Sequence, residues 1–439
     1  MTPDTPHSGL RSVAARLFGK GIVGNAVSLY AVQGLNYLLP LLLLPYLLRI
    51  LSPEGYGSIM LAQSLAGYAI ILTEFGFNLT AARDISVARD DPERVARIYW
   101  TTVAAKTLLM LASVLILGIV ILATPGFRSQ WPVFVASSLL VVGNVAFPQW
   151  YFQGLERLRD VAIVQAVAKC VVTASVVVFV HGPRDTWLAA LIMATPQLAG
   201  AAAALCLQMP LAPSLAYKPT PTDILSALRH SGHMFASTLS TTLYLHTNTI
   251  VLGLMSGARE VALYSIGTRL IAALQSIAGP VVQAVFPRAS FLFAHQPEQA
   301  WALLKRAARW VLPAIALTSI VLAVFATSVA RILGGAKYAD AAGVLRIMAA
   351  IPLLVTIASG LAQIVMINIG LSRQLFRIYL AVGCTNLVLL PFLVLAYASR
   401  GAAAALLIAE TLGPIMMLAA IKSRTSRPVA IADGLGADR

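Results

Sequence analysis

From Gly21 to Ile421 the chain is a succession of roughly a dozen apolar runs of about twenty residues, each able as a helix to cross a ~30 Å hydrocarbon core at ~1.5 Å rise per residue. Such a chain folds in a membrane, where each backbone amide must find its partner inside the protein. Composition agrees: 59% of residues are hydrophobic, 11% are charged, and the mean hydropathy is +0.81. That polar fraction is too small to wrap a soluble globule of this size.

The runs read as spans at 21–48, 56–79, 100–124, 132–154, 161–180, 186–208, 231–255, 260–286, 310–333, 343–370, 376–398 and 401–421. The expected fold is an all-α polytopic membrane protein with about 12 transmembrane helices. Lys and Arg divide unevenly between the two sides. The side holding both termini carries 21 of the 32, among them Arg83, Arg89, Arg94 and Arg97, and the other side carries 8. Lys106, Lys169 and Arg269 fall inside spans. Because Lys and Arg accumulate in cytoplasmic loops, both termini are expected in the cytoplasm.

The formal charge of +15 is spread over short loops rather than gathered in one stripe. It therefore points to helix orientation and anionic lipid head groups, and no nucleic-acid partner is expected. The apolar run behind the polar first twenty residues is too long for a signal-peptide core and lacks a clear cleavage site, so no cleaved signal is expected. Cys170, Cys206 and Cys384 each stand alone in an apolar run. Buried free thiols are expected there, with no metal site.

A Pro-rich stretch divides the chain. The expected organisation is a cytoplasmic N-terminal segment at 1–20, a six-helix half at 21–209, a cytoplasmic linker at 210–229, a second six-helix half at 230–421 and a cytoplasmic tail at 422–439. The halves share a weak repeat: Ser52 precedes Arg83 by 31 residues, and Ser256 precedes Arg288 by 32. An even number of spans per half makes the repeats parallel, an arrangement in which a central cavity lies between the halves near the bilayer midplane. Pro45 and Pro280, in the first and eighth spans, are candidate hinges for movement of those halves.

Ionisable side chains inside a span cost at least ~2.5 to 3.5 kcal/mol and tend to face protein or water. Lys106, Lys169, Arg269, Glu74 and Glu410 form that set here. If all face one cavity, it is net positive and suits an anion such as a diphosphate. Lys106 lies close enough to a membrane face to snorkel there. Glu74 could pair with Arg83 or Lys106, and Glu74 and Glu410 are candidates for coupling to H+ or Na+. The seventh span carries Ser237, Thr238, Ser240, Thr241, Thr242, His246 and Asn248. His246 and Asn248 are candidates for a sugar hydroxyl or an ion, although helix-to-helix hydrogen bonds explain a hydroxyl-rich span equally well. Tyr99, Trp100, Trp150, Tyr151 and Trp310 read as interfacial belt residues.

Three stretches carry a family resemblance: PYLLRILSPEGYG at 45–57, EFGFN at 74–78 with ARDIS at 82–86, and PQWYFQGLER at 148–157. A looser likeness runs from Asn248 through Leu252, Gly253, Glu260, Val261 and Tyr264 to Arg269 and Leu270. Together they resemble the bacterial oligosaccharide and polysaccharide flippases, the O-antigen (Wzx-type) branch of the multidrug/oligosaccharidyl-lipid/polysaccharide exporter superfamily. That family often has an acidic residue where this chain has Asn248, and often lysine where it has Arg269. The resemblance implies a cargo of undecaprenyl-diphosphate-linked oligosaccharide, moved from the inner to the outer leaflet of the bacterial cytoplasmic (inner) membrane. It also implies rocking of the two halves, resetting by an ion gradient, membrane lipids as partners, and contact with polysaccharide assembly proteins.

On this reading the substrate-binding candidates are Arg269, Lys169, Lys106, Asn248 and His246, and the coupling candidates are Glu74 and Glu410. No cofactor is expected. A multidrug antiporter of the same superfamily would more naturally offer cationic drugs an acidic pocket, and a lipid II flippase typically has two further spans. A membrane polysaccharide polymerase or ligase would need a sizeable external loop, whereas every external loop here is short. No HExxH, Walker A or Ser/His/Asp set is present, so no enzyme is expected.

Overall fold

A computed structural model describes residues 38–425, without the side chains at 236–245, 277–281, 283, 284 and 425. The segment 1–20, the first part of the span at 21–48, Arg427 and Arg439 therefore lie outside the described residues. So do the side chains of Ser237, Thr238, Ser240, Thr241, Thr242 and Pro280.

The described residues are helical, with no β-strand among them. In chain order they form α1 (Leu38–Ile50), α2 (Pro53–Glu74), α3 (Phe77–Ala88), α4 (Pro92–Ala123), α5 (Pro125–Arg128) and α6 (Trp131–Ala146). Next come α7 (Gln149–Gly154), α8 (Leu158–Phe179), α9 (Thr186–Met193), α10 (Pro196–Cys206), α11 (Pro221–Ser256) and α12 (Ala258–His295). The chain continues through α13 (Pro297–Val324), α14 (Ala326–Gly334), α15 (Ala341–Met348), α16 (Ile351–Ser359), a π-helical stretch at Gly360–Met366, and α17 (Ser372–Thr425). Seven helical stretches are long and apolar enough to span, or eight when the bent pair α9 and α10 counts as one. One of the seven, α17, reverses at Ala398 (φ 48°), and a Cβ on Gly401 would lie 1.8 Å from the Leu393 carbonyl oxygen. It therefore supplies two spans as a tight helical hairpin. With α1, α11 and α12 added, the helices fit the twelve spans expected.

Local chemistry sets where the helices begin. A capping residue followed by proline recurs: Ser52 accepts from Gly55 N at 3.0 Å ahead of α2, and Asp91 accepts from Arg94 N at 3.1 Å ahead of α4. Thr220 and Asp223 form a reciprocal capping box ahead of α11. The segment expected as a linker over 210–229 is thus helical from Pro221. Glu74 closes α2 because Phe75 (φ 45°) and Gly76 (φ 81°) take left-handed conformations. The Arg83 and Arg89 segment, read from sequence as a loop, is helix α3 up to Ala88.

Two compact units result. The first holds the described residues up to Ala262 together with Ile332–Lys337, and the second holds Leu263–Arg331 with the described residues from Tyr338 onward. In the first, α2 packs on α4, α6 and α11, while α8 packs chiefly on α10 and α9. Leu108, Leu111, Leu115, Ile119 and Leu122 form an exposed stripe along α4 at helical spacing, each more than half exposed. A stripe of that kind is stable only against lipid tails. In the second unit, α17 packs on α15, α16 and the π-helical stretch around Met366, Leu371 and Ile378.

Two expectations are corrected. Cys170, Cys206 and Cys384 are free but exposed, because lipid solvates a thiol-bearing face as readily as a protein core does. Tyr99, Trp150 and Tyr151 do not form a belt: they are buried together, with Tyr99 5.5 Å from Trp150 and 5.0 Å from Tyr151 between ring centroids. Trp310 does stand exposed.

Candidate functional site

The seven sequence candidates fall into separate places. Glu74, Lys106, Lys169, His246 and Asn248 belong to the first unit; Arg269 and Glu410 belong to the second.

Glu74 and Lys106 are brought together where α2, α4 and α6 pack. As the last residue of α2, Glu74 places a carboxylate at the negative end of the helix dipole, an unfavourable position without compensation. Compensation comes from Asn144 Nδ2, which donates to Glu74 Oε1 at 3.0 Å, and from the field of Lys106. Lys106 is 2% exposed, so it does not snorkel. The α4 backbone holds it beside Ala105 in the bundle interior, where Glu74 is its electrostatic partner. Asn144 Oδ1, on the same cluster, is buried without a hydrogen bond among the described residues. A cation and a carboxylate sharing one interior are neutral as a pair and so offer a diphosphate no net charge.

His246 and Asn248 lie on the seam between α11 and α2. Gly67 makes room for the His246 ring: a Cβ there would stand 2.5 Å from ring atoms. Tyr68 and Thr247 share a hydroxyl hydrogen bond, and the Tyr68 and His246 rings meet edge to face at 5.7 Å. Asn248 is 1% exposed. Farther along the seam, a Cβ on Gly57 would lie 1.7 Å from Ala258 O, so α2 and the start of α12 touch backbone to backbone. Gly57 of the 45–57 stretch is therefore required by close approach, and a Cβ on Gly55 would lie 2.7 Å from the Thr186 hydroxyl. That stretch is anchored by Arg49, which donates to Ile332 O at 2.8 Å, and by Lys337, which donates to the carbonyls of Arg49 and Leu51 at 3.0 and 2.7 Å.

Lys169 sits half-buried on α8, on the α9 and α10 side of the unit. In the second unit, Arg269 is half-buried on α12, and Glu410 is half-buried on the second limb of α17, within electrostatic reach of Tyr379 on the first limb.

Sequence reasoning missed a charged cluster at the end of the first unit. Arg97 donates to Asp223 at 2.7 Å, Tyr217 donates to the other Asp223 oxygen at 2.8 Å, and the Arg97 guanidinium lies 5.6 Å from the Tyr217 ring centroid. The Arg97 bond, followed by those from Thr220 and Tyr217, holds the Asp223 carboxyl well below the usual carboxylate range. Tyr99 and Trp100 clamp the segment ahead of α11 by donating to Leu211 O at 2.8 Å and Leu215 O at 3.1 Å. The Thr220, Pro221, Asp223 spacing is a capping-box signal visible in the sequence.

Comparison with known proteins gives a consistent answer. The chain is 28% identical over 399 residues to the protein named "Putative O-antigen transporter" of Escherichia coli (strain K12), covering 91% of this chain and 96% of that one. A protein of the same name from Shigella dysenteriae is 29% identical over 399 residues, covering 91% and 99%. Among solved structures, the fold resembles lipid II flippase MurJ in an inward closed conformation, with a TM-score of 0.70, 13% identity and 91% and 87% coverage. It also resembles the inward-facing conformation of a multidrug resistance MATE family transporter of the MOP superfamily, with a TM-score of 0.65, 13% identity and 89% and 98% coverage. The model of the polysaccharide biosynthesis protein family matches residues 22–293, more than half of the chain, and this multi-pass membrane protein belongs to that family.

Proposed function

We propose that this chain flips an undecaprenyl-diphosphate-linked oligosaccharide from the cytoplasmic to the periplasmic leaflet of the bacterial inner membrane, for surface polysaccharide synthesis. The observation that carries this reading is its near full-length similarity to two relatives whose name is that of an O-antigen transporter. A transporter-like helical fold and charged side chains within spans support it. The charge asymmetry of the loops supports a cytoplasmic position for both termini. The protein performs no bond chemistry of its own: it binds, reorients and releases by alternating access between its two six-helix halves.

In this reading Arg269 and Lys169 hold the diphosphate, while His246 and Asn248 line the path on the α11 side. Lys106 acts through its pairing with Glu74. Glu74 and Glu410 are the coupling carboxylates, for H+ or Na+. Membrane lipids and polysaccharide assembly proteins are the other partners.

The test follows a labelled lipid-linked oligosaccharide in proteoliposomes under imposed proton and sodium gradients. Wild type moves it and responds to one gradient; Arg269→Ala and Lys169→Ala, still folded, lose at least about tenfold in rate through missing charge-assisted hydrogen bonds. Failure of the wild type to move any such lipid under either gradient would remove the proposal.

A further inference from the structure

A cleft of about 470 Å³ opens at the end of the first unit that carries the turn between α3 and α4; it is walled by α3, α4 and the start of α11. That volume is in the ~300 to 1,000 Å³ range of small-molecule sites. Four charged side chains line it: Arg94 and Arg97 against Asp84 and Asp223. Their formal charges cancel. Asp223 is bound to Arg97 at 2.7 Å, which holds its carboxylate in place, and Asp84 stands 3.5 Å from the His230 ring.

Hydrogen-bonding capacity is left over. The Arg94 guanidinium and the hydroxyls of Thr102 and Ser226 make no hydrogen bond among the described residues, and Thr101 Oγ1 is buried beside them without one. A diphosphate would gain little from a lining whose charges cancel. A neutral polyhydroxyl group differs: each sugar hydroxyl both donates and accepts, and the cleft offers the Asp84 carboxylate as an acceptor beside the Arg94 guanidinium and hydroxyl donors. Pre-pairing of Arg97 with Asp223 lowers the ordering cost of binding.

We infer that the α3, α4 and α11 cleft is a saccharide subsite, which takes uncharged sugar rings of the cargo at a place apart from the diphosphate. The inference rests on the flippase reading for its cargo and for the cytoplasmic position of this end, where loading occurs.

The test uses the full chain in membrane vesicles with Ser226→Cys, alkylated by a water-soluble maleimide and read at position 226 by peptide-resolved mass spectrometry. The probes are the reducing oligosaccharide released by mild acid from the lipid-linked pool of the strain that carries this chain and, separately, inorganic pyrophosphate. The oligosaccharide at ten times its Kd slows modification about tenfold, and pyrophosphate does not. Asp84→Asn, and independently the surface substitution Arg94→Gln, each raise the oligosaccharide concentration required by about tenfold. Protection by pyrophosphate but not by sugar, or by neither, overturns the inference. Protection by sugar in a protein that fails to translocate the intact lipid would keep the subsite and refute the flippase reading.

Discussion

Arg97 and Asp223, 126 residues apart in sequence, meet at 2.7 Å and tie the start of α11 to the start of α4. The depressed Asp223 carboxyl makes a definite pH prediction. Its contribution to stability is complete above the unfolded carboxylate value of about 3.9 and is lost as pH falls through the lower folded value. Asp223→Asn therefore lowers the melting temperature by an amount that is constant between about pH 5 and 8 and narrows below about pH 4. Melting of both proteins in one detergent across that range checks it; a gap that varies between pH 5 and 8 would assign the effect to another group.

Gly57 and Gly118 provide an internal comparison. A Cβ at Gly57 would stand 1.7 Å from a carbonyl oxygen, and one at Gly118, in α4, meets nothing within 4 Å. Gly57→Ala is expected to cost about 1 to 3 kcal/mol or to prevent folding. Gly118→Ala is neutral or stabilising by up to about 1 kcal/mol. Yield and melting temperature of the two variants separate the cases, and equal behaviour would refute the backbone contact.

The sequence made the membrane fold legible because hydrocarbon thickness fixes helix length, a constraint that each apolar run obeys on its own. The breaks were less visible. Ending α2 at Glu74 depends on Phe75 adopting a left-handed conformation, stacked at 4.4 Å on Phe235 of a helix far along the chain. Tyr99, Trp150 and Tyr151 fit a belt in the sequence because an aromatic near a span end has the same local pattern whether it meets lipid head groups or other rings. Pro221 falls in the Pro-rich stretch that divides the chain, yet behind Thr220 and ahead of Asp223 it starts a helix. Of the candidate site, the residue types were legible and the groupings were not. That Lys106 lies beside Glu74 is a property of how α2, α4 and α6 pack, and no local pattern encodes it.

The Glu74 and Lys106 cluster can be tested by a double-mutant cycle. Lys106→Met keeps the side-chain volume and leaves the half-buried Glu74 without its cation, at an expected cost of about 1 to 3 kcal/mol. Glu74→Gln in the same chain retains an acceptor for Asn144 and is expected to recover most of that loss. Thermal melting of wild type, both single variants and the double variant gives the coupling. Additive losses would mean that the two side chains do not sense one another.

Gly67 and His246 make the seam between α2 and α11 testable for fold and for function. Because a Cβ at position 67 would lie 2.5 Å from the imidazole, Gly67→Ala forces the ring out of its place against Tyr68. The expected loss is about 1 to 3 kcal/mol, and His246→Ala added to Gly67→Ala restores most of it by removing the clash. Translocation separates packing from contact with cargo. If His246 serves only the seam, the double variant regains both melting temperature and transport rate. If the imidazole touches the glycan, the double variant regains stability while transport stays low. A Gly67→Ala protein that melts like wild type would show that the ring has another place to go and that this seam does not hold it.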